Sequence, residues 1–276
     1  MFGSLFGKET CAICGAEVGA PKKRKLADGT MCADCAANLS PFFEDRKGST
    51  VQDIKDQLTD REANKARLAT FSASKIFGDN GVVLIDEEAG TFVAVADTSD
   101  GFFGSAKKVT SIKDVAGKNP DVIKISQVVD VDMDIIQTDH EEKQTVDGQQ
   151  KSYSPRHMTY MCKFVLVVKV DHPYIETIRV PLESEAVKIR NEGERLRNSL
   201  GQQFKQWLFD SDAYDLQGAS VYDSDSLLSA IMNSPYEMPD YSYGFKCSPL
   251  NRDDIRRYEY YLQMGAALRQ ALMPEA

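Results

Sequence analysis

The chain has 276 residues, 42% of them hydrophobic and 27% charged, and a formal net charge of −9. That length suggests about two domains rather than one small module. No run approaches the ~18 uninterrupted apolar residues of a membrane-spanning helix, and the start, MFGSLFGKETC, lacks the basic residues and long apolar run of a secretory leader, so a cytoplasmic protein is expected.

Residues 1–50 hold seven Lys/Arg and six Asp/Glu, a balance of +1, which leaves −10 for the rest. An acidic body argues against wrapping a phosphate backbone, because nucleic-acid affinity comes largely from neutralising phosphates.

The first element in the chain is a cysteine module over residues 1–48. Cys11 and Cys14 form a C-x2-C pair, and after seventeen residues Cys32 and Cys35 form another. Each pair can place two thiolates on one ion at ~2.3 Å, and two pairs supply the tetrahedral sulfurs that zinc prefers. In a reducing compartment such pairs read as metal ligands rather than disulfides. A thioredoxin-type redox motif is a single pair in a βαβ setting, which this is not. The spacing therefore predicts one structural Zn2+ held by Cys11, Cys14, Cys32 and Cys35. Four cysteines close the coordination shell and leave no catalytic position. Gly15 lets the chain turn tightly after Cys14. Asp28-Gly29 reads as a hairpin turn, and Cys32 and Cys35 fall on the first turn of a short helix ending near Pro41. Knuckle, hairpin and helix in that order make a treble clef.

Between the pairs lies Lys22-Lys23-Arg24-Lys25. A nucleic-acid patch is one reading. A solvated loop whose cations temper a site of formal charge −2 is the other, and the acidic body favours it.

A linking segment, 49–73, follows. Ser49 and Gln52 fit a capping box, and Val51, Ile54 and Leu58 recur at helical spacing, predicting a helix over about 50–69. From Ser74 the period becomes two. KIF, VVLID and TFVAVAD are separated by the turn residues Asp79-Asn80-Gly81 and Glu88-Ala89-Gly90. A loop then carries Phe102 and Phe103, with Lys107 and Lys108 behind them. Two aromatics at a loop tip beside lysines could touch a membrane surface or a partner, or fold back onto the sheet. DVIKISQVVDVDMDII reads as strand, 137–157 as a polar loop, and TYMCKFVLVVKV and YIETIRVPL as strands about a turn at Asp171-His172-Pro173. About seven strands with short links imply an antiparallel sheet.

Ser184 is expected to cap a long amphipathic helix over 184–208 that closes the sheet. These elements together would form a β-domain over 74–209. Residues 210–276 would be an irregular acidic and aromatic segment followed by a helix over about 252–272. The expected class is α+β.

Other chemistry is sparse. Asp130, Asp132 and Asp134 alternate with apolar residues. In that frame Glu141 matches the closing Glu of a calcium loop, but Ile135 stands where the loop needs Gly for its sharp turn, so a solvent-facing strand explains the aspartates better. His140, His157 and His172 lack metal-ligand spacing and read as surface residues. Cys162 reads as a buried hydrophobe, and Cys247 lies in a polar stretch. No catalytic nucleophile, base or cofactor loop is recognisable, so no enzyme is expected.

The segment CAICG…KLADGTMCADCAANLSPFF, with the helix after it and DREANKARLATF, resembles the N-terminal region of an uncharacterised bacterial domain-of-unknown-function family with a four-cysteine zinc-binding head. The matching residues are Cys11, Cys14, Cys32 and Cys35 with Gly15, Asp28 and Gly29. The pattern DVIKISQVVDVDM resembles a strand pair of a bacterial pleckstrin-homology-like domain. That superfold binds lipids, peptides or proteins, so the resemblance implies a fold rather than an activity. The leading expectation is a protein-interaction or scaffolding module. The competing one is a membrane-surface or thiol-oxidation sensor, and nucleic-acid binding through the basic loop is the remote one.

Overall fold

The computed structural model describes residues 9–96, 107–192 and 252–274. In the head, β1 (Glu9–Thr10) pairs with β2 (Glu17–Val18), and β3 (Lys23–Lys25) pairs with β4 (Thr30–Cys32), both antiparallel. A short α1 (Ala33–Ala36) follows, with Cys32 as its N-cap. The order is the one the cysteine spacing predicts. A small core of Val18, Leu26, Met31, Leu39, Cys11 and Cys32 fills the head, and Ile54 from the next helix completes it.

That helix, α2 (Val51–Thr70), starts one residue later than the sequence suggested. Its capping box is Thr50 with Asp53 rather than Ser49 with Gln52: the Asp53 amide donates to Thr50 Oγ1, and the Thr50 amide donates to Asp53 Oδ2. Five of its side chains are buried: Ile54, Gln57, Arg61, Asn64 and Leu68. These share one face at helical spacing, and the middle three are polar. Ile54 sits in the head core, and Leu68 sits in a second cluster with Phe71, Leu84, Val93, Val109 and Val115. One helix thus completes two separate cores.

Four short strands form the first sheet, a meander in the order β5 (Lys75–Phe77), β6 (Val83–Asp86), β7 (Thr91–Ala94) and β8 (Val122–Lys124). The β5–β6 turn needs glycine. Gly81 has φ +66°, and a Cβ there would lie 2.2 Å from the Val109 carbonyl oxygen. Strand β6 is buried on both faces, with Val83 and Ile85 toward the main core and Leu84 toward α2. This is why it reads as a continuous apolar run.

The second sheet is built around β10 (Gln149–Val170). On one edge it pairs with β9 (Val128–Val146); on the other, β11 (Thr177–Pro181) pairs with Val165–Lys169 and β12 (Val187–Glu192) with His157–Cys162. The polar stretch 137–157, expected as a loop, is instead the distal part of a long hairpin. Its two-residue turn is Asp147-Gly148, both left-handed at φ +54° and +75°. That dipeptide and geometry match the right-handed twist of the flanking strands. Both faces of this arm are largely exposed, so its residues carry no hydrophobic alternation to announce a strand. The register shifts between Ser152 and His157, which leaves Tyr153–Arg156 as extra residues beside Glu142 and Lys143, and Tyr153 stacks on His157 at 4.0 Å.

The helix expected from Ser184 is not formed at its start. Val187 and Ile189 point inward while Lys188 and Arg190 point outward, a period of two, and the segment joins the sheet as β12. Residues 193–208 of that expected helix, the segment 210–250, Cys247, and Phe102 and Phe103 lie outside the described residues.

The described helix that covers the sheet is α3 (Arg252–Leu272). It buries Ile255, Tyr258, Tyr261, Leu262, Met264 and Leu268. Phe164 of β10 meets Tyr258 edge-on at 5.1 Å and stacks on Tyr261 at 4.9 Å. Gly265 allows the close crossing: a Cβ there would lie 3.0 Å from Met133 Sδ. Polar pins fix the middle and the last turn of α3. Tyr261 OH donates to Asp79 Oδ2 at 2.5 Å, and Arg269 donates to the Val131 carbonyl. The architecture is α+β with antiparallel sheets.

Candidate metal centre

The four cysteines predicted as ligands converge. Their Sγ atoms all lie within 4.8 Å of one another, with Cys11 to Cys35 at 3.9 Å and Cys14 to Cys32 at 3.8 Å. Sulfurs ~2.3 Å from a shared ion at tetrahedral angles sit just under 4 Å apart, so the cluster could hold a metal ion.

Local backbone chemistry explains the convergence. Gly15, at φ +76°, donates its amide to the Cys11 carbonyl at 2.8 Å and closes the first knuckle. The Ala12 amide donates to the Thr30 carbonyl at 2.8 Å and holds that knuckle against β4. Cys32 caps α1, so Cys35 lies one turn on and faces the same point. Backbone amides donate to the sulfurs: Cys32 N to Cys11 Sγ and Cys35 N to Cys32 Sγ, both at 3.3 Å. Such amides stabilise thiolate and orient the ligands.

Burial opposes ionisation of Cys11, but the amides of Cys14, Cys32 and Ile13 and the Cys14 thiol outweigh it and bring its pKa down to about 6. Burial first, and then hydrogen bonds with Cys32, Cys14 and Cys11, push the Cys35 thiol up. A first thiolate forms readily in this cluster, and the last resists forming beside the others. A cation removes that resistance.

The remaining candidates fall elsewhere. Lys107 and Lys108 are exposed, directly before buried Val109. The basic run is β3 and the residue before it. Lys23 pairs with Glu9 at 2.6 Å, and Arg24 donates to the Pro21 and Lys23 carbonyls at 3.3 and 3.0 Å. The aspartates of β9 meet cations: Asp130 lies 3.5 Å from both Lys169 and Arg269, and Asp134 pairs with Arg179. Cys162 is fully buried, and burial pushes its thiol up to about 12. His140 is exposed as expected. His172 departs from that expectation: it is half-buried, its ring meets Tyr174 edge-on at 4.4 Å, and its Nδ1 is buried without a hydrogen-bond partner.

A second polar centre was not anticipated. Arg61 Nη1 donates to Asp121 Oδ1 at 2.6 Å, Nη2 to the Asn119 carbonyl at 2.8 Å and Nε to the Asn38 carbonyl at 2.7 Å. Ser40 Oγ donates to Asp121 Oδ2 at 2.7 Å. Asn64 donates to the Pro120 carbonyl and accepts from the Val122 amide. This network fastens α2 to the head and to the loop before β8. In the sequence Gln57, Arg61 and Asn64 share a helical face with Ile54 and Leu68, a weak hint that does not point to the acceptors at Asn119 and Asp121.

Residues 9–57 match the family described as Domain of unknown function (DUF4428). No curated protein and no solved structure matches the chain. The DUF4428 match spans both cysteine pairs and runs into α2 as far as Gln57, past Ile54. The match thus takes in Val51 and Ile54, which pack into the head core, and ends one residue before Leu58, which also packs against it.

Proposed function

We propose that the head is a structural zinc module with one Zn2+ on Cys11, Cys14, Cys32 and Cys35, and that the protein works by binding other proteins as a scaffolding or interaction module in the cytoplasm, not by catalysis. The observation that carries the zinc part of this reading is the closed set of four thiols, with Sγ pairs at 3.8 and 3.9 Å. Four protein ligands occupy all the positions zinc takes in structural sites, and thiolate donors favour zinc over harder cations. The β-domain is proposed to be pleckstrin-homology-like. Two antiparallel sheets with a helix packed over them support that reading, and the long β9–β10 hairpin is an addition to it.

Two measurements test the proposal. The full chain purified without chelator should carry about one zinc per molecule. Capture from native lysate, with and without chelator, should return a reproducible set of proteins. Zinc well below one equivalent removes the structural-zinc reading, and an empty capture removes the interaction reading.

A further inference from the structure

Arg61 stands where three parts of the chain meet. Its Nε bonds the Asn38 carbonyl just beyond the cysteine-bearing helix α1, and its Nη atoms bond Asn119 and Asp121 of the β-domain. Asn38 is itself tied to the metal cluster, since its amide donates to the Cys35 carbonyl at 3.2 Å and its side chain to the Asp34 carbonyl at 2.9 Å. Ser40, two residues on, donates through its hydroxyl to the other Asp121 oxygen and through its amide to Gln57 Oε1 at 3.2 Å. At the opposite end of the head, Asp28 Oδ1 accepts the Val51 amide at 2.7 Å, and Gly29 lies so close to Val51 that a Cβ would approach its Cγ2 to 2.7 Å. Ser40, Gln57, Arg61, Asn64 and Asp121 are all buried.

We propose that the four-cysteine site and the seating of α2 on the Asn119–Asp121 loop are thermodynamically coupled, so that metal binding in the head orders the joint and the joint tightens metal binding. This rests on the reading above that the site holds Zn2+. The physical basis is that the ligands are part of the fold. Cys11 and Cys32 lie in the same small core as Leu39 and Ile54. A module of this size holds a folded state poorly without its metal, so binding energy becomes folding energy. When the head loosens, the Asn38 carbonyl and the Ser40 hydroxyl leave Arg61 and Asp121. A buried network that loses part of its partners is costly. Coupling of binding equilibria is reciprocal, so weakening the joint must weaken the metal site.

The test uses the full chain, reduced and stripped of metal, with Zn2+ as the probe. Amide hydrogen exchange is followed with and without Zn2+, and Zn2+ affinity is measured by competition with a chromophoric chelator for wild type, Arg61→Met and Ser40→Ala. None of these substitutions touches a cysteine. Zn2+ should slow exchange at 119–124 as well as in the head, and both variants should bind Zn2+ more weakly, by roughly fivefold or more. Ser40→Ala removes one hydroxyl and keeps the test decisive where Arg61→Met does not fold. Protection confined to the head, or wild-type affinity in both variants, overturns the coupling while leaving the zinc reading intact. A wild-type chain that takes up no Zn2+ overturns both.

Discussion

Arg61 and Asp121 form an ion pair of 2.6 Å with side chains only 6% and 3% exposed. One residue comes from the helix that leaves the head, and the other comes from the loop that enters β8. Breaking such a pair leaves a charge buried without its partner. Arg61→Met should therefore destabilise the protein by about 3–5 kcal/mol, and Arg61→Met with Asp121→Leu by clearly less than the two single changes combined. Urea midpoints of the three variants measure this, and simple additivity would show that the two residues do not act as a pair.

Metal content gives a second prediction. Cys11→Ser, Cys14→Ser, Cys32→Ser and Cys35→Ser should each lower bound zinc, because each removes one of four converging ligands. Cys162→Ser should leave it unchanged, since Cys162 is buried in the main core away from the cluster. Elemental analysis of the purified chains decides between them. Equal zinc in all five would place the metal elsewhere.

Acid should loosen the joint. Burial holds the pKa of His172 below its ordinary value of 6.5, with Asp121 and Asp60 pulling it up and Arg67 pushing it down. The unfolded chain then binds the proton more readily than the folded one. Stability is full above about pH 6.5 and falls as the pH drops through the lower, folded value. Asp60 is also lowered: burial opposes this, but hydrogen bonds from Arg67 and Tyr174 outweigh it, so its contribution disappears only in stronger acid. His172→Gln should flatten the decline in the urea midpoint between pH 7.5 and 5. An unchanged slope would assign that decline to other groups.

Core packing under α3 offers a fourth test. Phe164 is fully buried against Tyr258 and Tyr261. Phe164→Ala should cost about 3–5 kcal/mol through lost burial and the cavity left behind. Thermal melts of the full chain would register it, and a loss under ~1 kcal/mol would mean that α3 is not firmly seated there.

At the hairpin tip the effect should be small and local. A methyl group on Gly148 would meet only open space, so Gly148→Ala costs only backbone strain at φ +75°, about 1–2 kcal/mol. Faster amide exchange at Val146 and Gln149, without change in the head, is the expected signature.

How much of this was legible in the sequence depended on whether one local rule decided each element. The cysteine cluster was legible because two C-x2-C pairs leave few alternatives for thiols. Helix α3 and the strands from Lys75 to Ala94 were legible because one period ran between clear turn residues. The distal β9–β10 arm, 137–157, was not, since none of its residues is buried and its clearest marker is Asp147-Gly148. The start of the expected 184–208 helix failed because Ile189 alone fits a helical stripe running on to Leu196, whereas Val187 and Ile189 together fit only period two, which pairing with β10 realises. The Arg61 network was hidden for another reason: a buried arginine looks like a surface one until its distant acceptors at Asn119 and Asp121 are brought to it.

The position of α3 in the chain also sets an order of assembly. The β9–β10 hairpin joins neighbours in sequence and can form as soon as it leaves the ribosome, with β11 and β12 adding soon after. Among the described residues, the helix that covers the sheet at Phe164 comes last in the chain, at 252–272. A chain stopped before Arg252 would lack the packing of Tyr258 and Tyr261 on Phe164 and should be more open to aggregation and to capture by chaperones.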